Sequence, residues 1–144
     1  MTELKEITED NFKSVIALEI SEAQKAFVAP NVYSIAQAKV CGNMVPIAVY
    51  NEGIPVGFLM YCMDKDDQEY WIYRFMIDKN YQRRGIGREA MSALLDMLKQ
   101  DNEHHMVYIS AYPENMVAIN MYKKFGFAPD GRMIEGEVVL KLEY

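Results

Sequence analysis

The sequence has little cysteine, no long hydrophobic run and no surplus of positive charge, and each shortage excludes something. Two cysteines in 144 residues, Cys41 and Cys62, stand apart and do not make a disulfide framework. Reduced thiols in a cytoplasm are the expectation. No apolar stretch approaches the ~18 residues of a membrane-spanning helix, and the opening MTELKEITED lacks a basic segment followed by an apolar one. The expected chain is soluble, cytoplasmic and not exported. With 15 Lys and Arg against 21 Asp and Glu the formal net charge is −6, so the surface repels a nucleic-acid backbone or an anionic membrane and attracts cations. Neither nucleic acid nor membrane is an expected partner. Repeats, low-complexity tracts and Pro-, Gly- or Ser-rich linkers are missing too, so residues 1–144 read as one domain. That length buries roughly two-thirds of its unfolded surface, enough to fold without metals or disulfides.

What is present is a change of hydrophobic period along the chain. Leu4 to Ile7 is a short strand candidate; Thr8, followed by Glu9 and Asp10, reads as the N-cap of a helix. Phe12, Val15, Ile16, Ile20, Ala23 and Phe27 recur at helical spacing, with Glu19, Glu22 and Lys25 on the opposite face. Pro30 and Asn31 break the chain before a second short helix from Tyr33 to Val40. MVPIAVY and PVGFLMYCM are strand-like runs joined by a tight turn at Asn51 to Gly53, and EYWIYRFMID is a third such run after the turn DKDDQ. A helix from about Gly85 to Gln100, the strand MVYISAY, a helix from Asn115 to Lys124 and a last strand EVVLKLEY complete the order. This is a mixed α/β sheet with at least one parallel pair, formed by the strand–helix–strand unit from 69 to 112.

YQRRGIG, 81 to 87, joins that strand to that helix. Glycine lets an anion approach the backbone there, and the N–H groups and positive end of the helix dipole converge on it. Arg83, Arg84 and Arg88 could add charge-assisted contacts; the plainer reading is a glycine-softened turn with solvated arginines. A dinucleotide fingerprint fits poorly, because seven residues, Asp78 to Arg84, separate the strand from the first glycine, and the later strand ends SAYP without the acidic ribose ligand. A P-loop fails for want of a Gly-Lys-Ser/Thr.

FMIDKNYQRRGIG, and PENMVAINMYKKFGF some thirty residues later, resemble the two signature regions of the GNAT acetyltransferases. SEAQKAFVAPN and YWIYRFMID are similar to the bacterial spermine/spermidine acetyltransferase branch. The resemblance implies the GNAT fold: a single α/β domain whose mixed sheet of six to seven strands, flanked by about four helices, splays to bind acetyl-CoA. It places backbone groups of Phe75, Met76 and Ile77 along the pantetheine arm, which can pair like a short added strand. Gln82, Arg83, Arg84, Gly85, Ile86 and Gly87 would cradle the pyrophosphate through main-chain N–H groups, with the arginine side chains dispensable. Asn115 would meet the cofactor near the thioester, or cap the helix that follows, or both. Tyr122 would protonate the departing thiolate; by spacing alone it is equally a core residue beside Ala118 and Phe125. Reference pKa values near 10 for Tyr and ~8.5 for a thiol make that transfer uphill by roughly 2 kcal/mol, so the assistance is modest.

The nucleophile has to be a neutral amine, yet an alkylamine of pKa near 10.4 is free base in only about one molecule in 2,500 at pH 7. A polyamine eases the conflict, since acidic residues can hold one ammonium while a remote one reacts. Glu19, Glu22, Asp66, Asp67 and Glu69 are candidate anchors, each of them also readable as a solvated surface charge. Glu69 or a water relay could serve as base. His104 and His105 lie in a polar turn with no partner at metal-ligand spacing, so no metal is expected. The eleven methionines read as flexible core filler. The implied activity is acetyl transfer from acetyl-CoA to a polyamine amine by direct attack, with a possible homodimer. A protein or peptide amine or an aminoglycoside is the alternative acceptor, and an acyl-CoA-binding module without turnover the alternative class.

Overall fold

In the computed structural model, which describes residues 1–144, the period-two runs become one mixed sheet of seven strands. The strands are β1 (Thr2–Glu6), β2 (Met44–Asn51), β3 (Ile54–Met63), β4 (Tyr70–Ile77), β5 (Met106–Ala111), β6 (Ala128–Ile134) and β7 (Glu137–Glu143). Their spatial order is β1-β2-β3-β4-β5-β7-β6, and every neighbouring pair is antiparallel except β4 with β5. Four helices, α1 (Phe12–Ile16), α2 (Asn31–Cys41), α3 (Ile86–Leu98) and α4 (Met116–Lys124), cover the faces.

Alternation along each strand sends side chains to two cores. Ile47, Val49, Leu59, Ile72 and Ile77 meet the apolar stripe of α3, whose Ile86, Ala90, Met91, Leu94, Leu95 and Leu98 are all buried. Each such Leu or Ile contributes about 1.5–3 kcal/mol by burial. Ala48, Phe58, Met60 and Met76 point the other way, to Val15 of α1. No helix is long and apolar enough to cross a membrane.

Three expectations need correction. The single amphipathic helix over 12–27 is two pieces, α1 and a 3-10 turn at Glu22–Gln24, and Asn11 rather than Thr8 stands at its start. The break follows from a competing partner: the Glu19 carbonyl accepts from Lys79 N at 2.7 Å, which ties residues 17–21 to the end of β4 instead of to a helical turn. Asn31 does not break the chain but opens α2, because it is buried and its side-chain amide donates to the Val15 carbonyl at 2.9 Å. The strand β6 is additional. It pairs with β7 across the two-residue turn Glu135–Gly136, both at positive φ (50° and 83°), the same dipeptide and turn as Glu52–Gly53 between β2 and β3.

Candidate active site

The sheet opens at its one parallel pair. β4 and β5 are joined only at Tyr70–Val107, Trp71–Tyr108 and Ile72–Ile109; from Tyr73 onward β4 has no partner on that side. The cause is a bulge on β4. Its register against β3 jumps where Tyr61 faces Ile72 and Met60 faces Arg74, leaving Tyr73 as the extra residue. The parity of the side chains flips there: Ile72, Phe75 and Ile77 all pack with the larger core, while Tyr73 and Met76 pack with the smaller. Bulges bend a strand and end its pairing, and this one turns the last five residues of β4 away from β5.

The split leads into a cleft of about 1660 Å³. Phe75, Met76 and Ile77 line it together with Gln82, Arg83, Gly85, Gly87, Asn115 and Tyr122. A smaller hollow of about 510 Å³ shares Gln82, Arg83 and Asn115 with it. Ile86 is buried in the core, so only its N–H is available, and Arg84 lies over the Tyr81 ring, 5.3 Å from its centroid.

The loop's backbone is held open. Arg83 and Gly85 both have positive φ (64° and 81°), and the first helical hydrogen bond onto this segment is Glu89 N to Gly85 O at 3.0 Å. The N–H groups of Ile86, Gly87 and Arg88 thus have no acceptor within the helix and gather at its positive end. Gln82 turns inward, donating to the Ile77 carbonyl and to Gln24 Oε1, both at 2.9 Å, and so fixes where the loop leaves β4. At Gly87 a Cβ would stand 3.7–3.9 Å from Ile77, Met121 and Phe75, on the cleft wall, so its hydrogen keeps the floor of the cleft low. These features fit a bound pyrophosphate.

Gly85→Ala places a Cβ in left-handed backbone at a cost of about 1–2 kcal/mol; the free loop escapes that strain by relaxing, so the cost falls on the bound form and acetyl-CoA binding is expected to weaken by up to roughly 5- to 30-fold. Arg84→Ala should change it by less than about threefold, the usual range for an exposed charge. Titration calorimetry checks both; the reverse ranking would assign binding to the arginine side chains.

Asn115 stands at the N-cap of α4 with no side-chain capping bond, so its amide is left facing the cleft. Tyr122, three residues beyond Ile119 on the buried face of α4, is 6% exposed. Burial first, and the charge of Glu137 second, push its phenol well above its ordinary value. It therefore stays protonated across the physiological range and can serve as a proton donor, not as a base.

The proposed anchors are scattered. Glu19 pairs with Lys79 at 2.9 Å and Glu22 with Lys25 at 2.7 Å, both as exposed ion pairs, and neither carboxylate lines the cleft. Glu69 stands just ahead of β4 on the side of Tyr144, away from the cleft. The carboxylates that do line it are Asp64, Asp66 and Asp67, in the turn ahead of β4, and Glu135 and Glu137 of the last hairpin. Of these the sequence indicated Asp66 and Asp67. The hairpin pair has no counterpart among the sequence expectations, although Glu135–Gly136 repeats the Glu52–Gly53 dipeptide of the first hairpin. Neither histidine lines the cleft, and no group of three or more His, Cys, Asp or Glu side chains is placed to hold a metal ion.

A seven-stranded mixed sheet, parted at its parallel pair and carrying an amide-lined loop at the head of α3, makes a single-domain α/β fold built around a cleft suited to an anionic ligand. Residues 5–127 match the acetyltransferase (GNAT) family, and the chain belongs to it. It is 33% identical to a probable spermine N(1)-acetyltransferase of Bacillus subtilis subsp. natto and 32% identical to the spermine/spermidine N(1)-acetyltransferase of Bacillus subtilis, over 97% of this chain and of each relative. Among solved structures, the aminoglycoside acetyltransferase AAC(6')-Ib with coenzyme A and kanamycin superposes with a TM-score of 0.81 at 18% identity, over 99% of this chain and 95% of that one.

Proposed function

We propose that the protein transfers acetyl from acetyl-CoA to a primary amine of a spermine- or spermidine-like polyamine, by direct attack of the amine on the thioester. The observation that carries this reading is the polarity of one continuous cleft along β4. Past its C-terminal end lie Gly85, Gly87 and the unpaired N–H groups of α3, suited to an anionic cofactor; ahead of its N-terminal end lie Asp64, Asp66 and Asp67, suited to a cationic acceptor. The relatives named as spermine and spermidine acetyltransferases support the choice of acceptor.

In this reading the pantetheine arm lies along the free edge of Tyr73–Ile77, and the amides of residues 83–88 hold the pyrophosphate. Asn115 orients the thioester end. The acceptor enters from the acidic turn, one ammonium held there while another, deprotonated, reaches the carbonyl carbon. A C–N bond forms, the C–S bond breaks, and Tyr122 hands its proton to the leaving sulfur. No cysteine lines the cleft, which favours direct transfer over an acetyl-cysteine intermediate. A cytoplasmic homodimer belongs to the same reading.

The test is release of free CoA thiol from acetyl-CoA with spermine, spermidine, a lysine peptide and kanamycin in parallel. Fastest turnover with the polyamines is expected. Turnover with kanamycin or the peptide alone contradicts the acceptor, and tight CoA binding without turnover on any amine contradicts the enzyme.

A further inference from the structure

We infer that Glu137 is the base of the transfer: its carboxylate takes the first proton from the acceptor ammonium, so that the neutral nitrogen forms inside the cleft. This inference rests on acetyl transfer to an amine and not on the acceptor being a polyamine.

The geometry singles this residue out. Glu137 is the first residue of β7, delivered by the Glu135–Gly136 turn and paired with Ile134. Its neighbour Val138 pairs with Ala111, so Glu137 stands beside the C-terminal end of β5, at the mouth of the split between β5 and β4. Among the carboxylates lining the cleft, Asp64 already accepts from the backbone of Asp66 at 2.9 Å and from Tyr73, and Asp67 accepts from Trp71 Nε1 at 2.8 Å. Asp66 and Glu135 are exposed turn residues. Glu137 is half-buried and lines the cleft together with Tyr122.

The charged and titratable groups facing Glu137 are Arg74 from β4, Tyr122 from α4 and Glu135 from its own hairpin, with the Ser110 hydroxyl from β5 and the Tyr112 ring near Gly136. Burial, the largest influence, raises its carboxyl above the ordinary glutamate value; Arg74 and Ser110 act to lower it and Glu135 to raise it. A raised carboxyl is a stronger base, which narrows the gap to the ammonium it must deprotonate.

The placement also couples the two proton transfers. The negative charge of Glu137 helps hold the proton on Tyr122. When Glu137 accepts the ammonium proton that charge is gone, and Tyr122 becomes the better acid just as the C–S bond needs one. The balance closes. Glu137 takes one proton from R–NH3⁺; the nitrogen lone pair makes the C–N bond; the C–S electron pair departs on sulfur, which takes the Tyr122 proton. The second amine proton leaves as the tetrahedral species collapses and restores Tyr122 through solvent, and Glu137 releases the first to water. The sum is amide, CoA thiol and one proton.

The experiment is the pH profile of Glu137→Gln against wild type, with whichever amine of the panel turns over fastest. At pH 7 kcat should fall about 100-fold, the low end for loss of a general base. The variant then depends on amine already neutral in solution, so its kcat/KM should climb roughly tenfold per pH unit towards the amine's pKa near 10.4, and the deficit should close as pH rises. Glu137→Asp, which keeps a carboxylate, should retain the wild-type shape at reduced rate, with acetyl-CoA affinity unchanged in both variants. A deficit constant with pH, or a rise in amine KM with kcat intact, would make Glu137 a structural or anchoring residue and overturn the inference. Absence of wild-type turnover on polyamines alone would count against the acceptor reading and leave this comparison to be made on the amine that is accepted.

Discussion

Tyr122→Phe is expected to lower kcat roughly 10- to 100-fold, at and below the low end of general-acid effects, while leaving the acetyl-CoA dissociation constant within about twofold. The ring, not the hydroxyl, makes the packing: it sits in the larger core and lies 6.1 Å from the Phe127 ring. Removing one oxygen leaves that contact in place, so stability should hold. The loss is bounded because the phenol is a weak acid here, pushed further from a thiol's range by burial and then by Glu137. Its assistance matters only once the sulfur carries developing negative charge. Single-turnover rates with saturating amine check the expectation. An unchanged rate would leave Tyr122 as a core residue that happens to border the cleft.

Gly57→Ala is expected to have the largest effect on stability. A Cβ there would stand 2.6 Å from the Met76 carbonyl oxygen and 2.7 Å from Ile77 Cδ1, and the first of these is backbone that cannot rotate aside. Gly57 faces Ile77 across β3 and β4, so glycine is what allows the last turn of the pleat to close next to the split. Overpacking of this kind costs typically 1–3 kcal/mol. For a chain of this length that lowers Tm by about 3–10 °C. The same displacement moves β4 at Met76 and Ile77, two residues lining the cleft, so acetyl-CoA binding should weaken alongside. Thermal melts with and without acetyl-CoA separate the two effects. A melting point within about 1 °C of wild type would mean that β4 yields at no cost.

The legible parts of the sequence were those where one local rule acts without competition. The stripe of α3 and the alternation of β5 each bury one face against one core, so period located them, while β2 and β3, buried on both faces, showed as continuous apolar runs. The first forty residues were harder. Their apolar spacing suits a helix, but Glu19 O is claimed by Lys79 and Asn31 by Val15, partners 60 and 16 residues away in the chain. Long-range hydrogen bonds of that kind leave no periodic trace. The two stretches expected to meet a cofactor, Phe75 to Ile77 and Gln82 to Gly87, are each contiguous in sequence, and most of their residues line one cleft in the fold. The cleft's carboxylates were less legible, because they come from the turn ahead of β4 and from a hairpin separated from it by some seventy residues. Glu19, Glu22 and Glu69 were reasonable by charge, yet the structure gives the first two to lysines and sets the third apart from the cleft.

Direct transfer requires acetyl-CoA and the amine to occupy one cleft together, with no acetyl-enzyme between them. The direct measurement is an initial-rate matrix in both substrates, with a rapid-mixing control in which enzyme meets acetyl-CoA alone. Intersecting double-reciprocal lines, and no CoA release until amine is added, are predicted. Parallel lines, with a burst of CoA equal to the enzyme concentration before any amine arrives, would contradict the account.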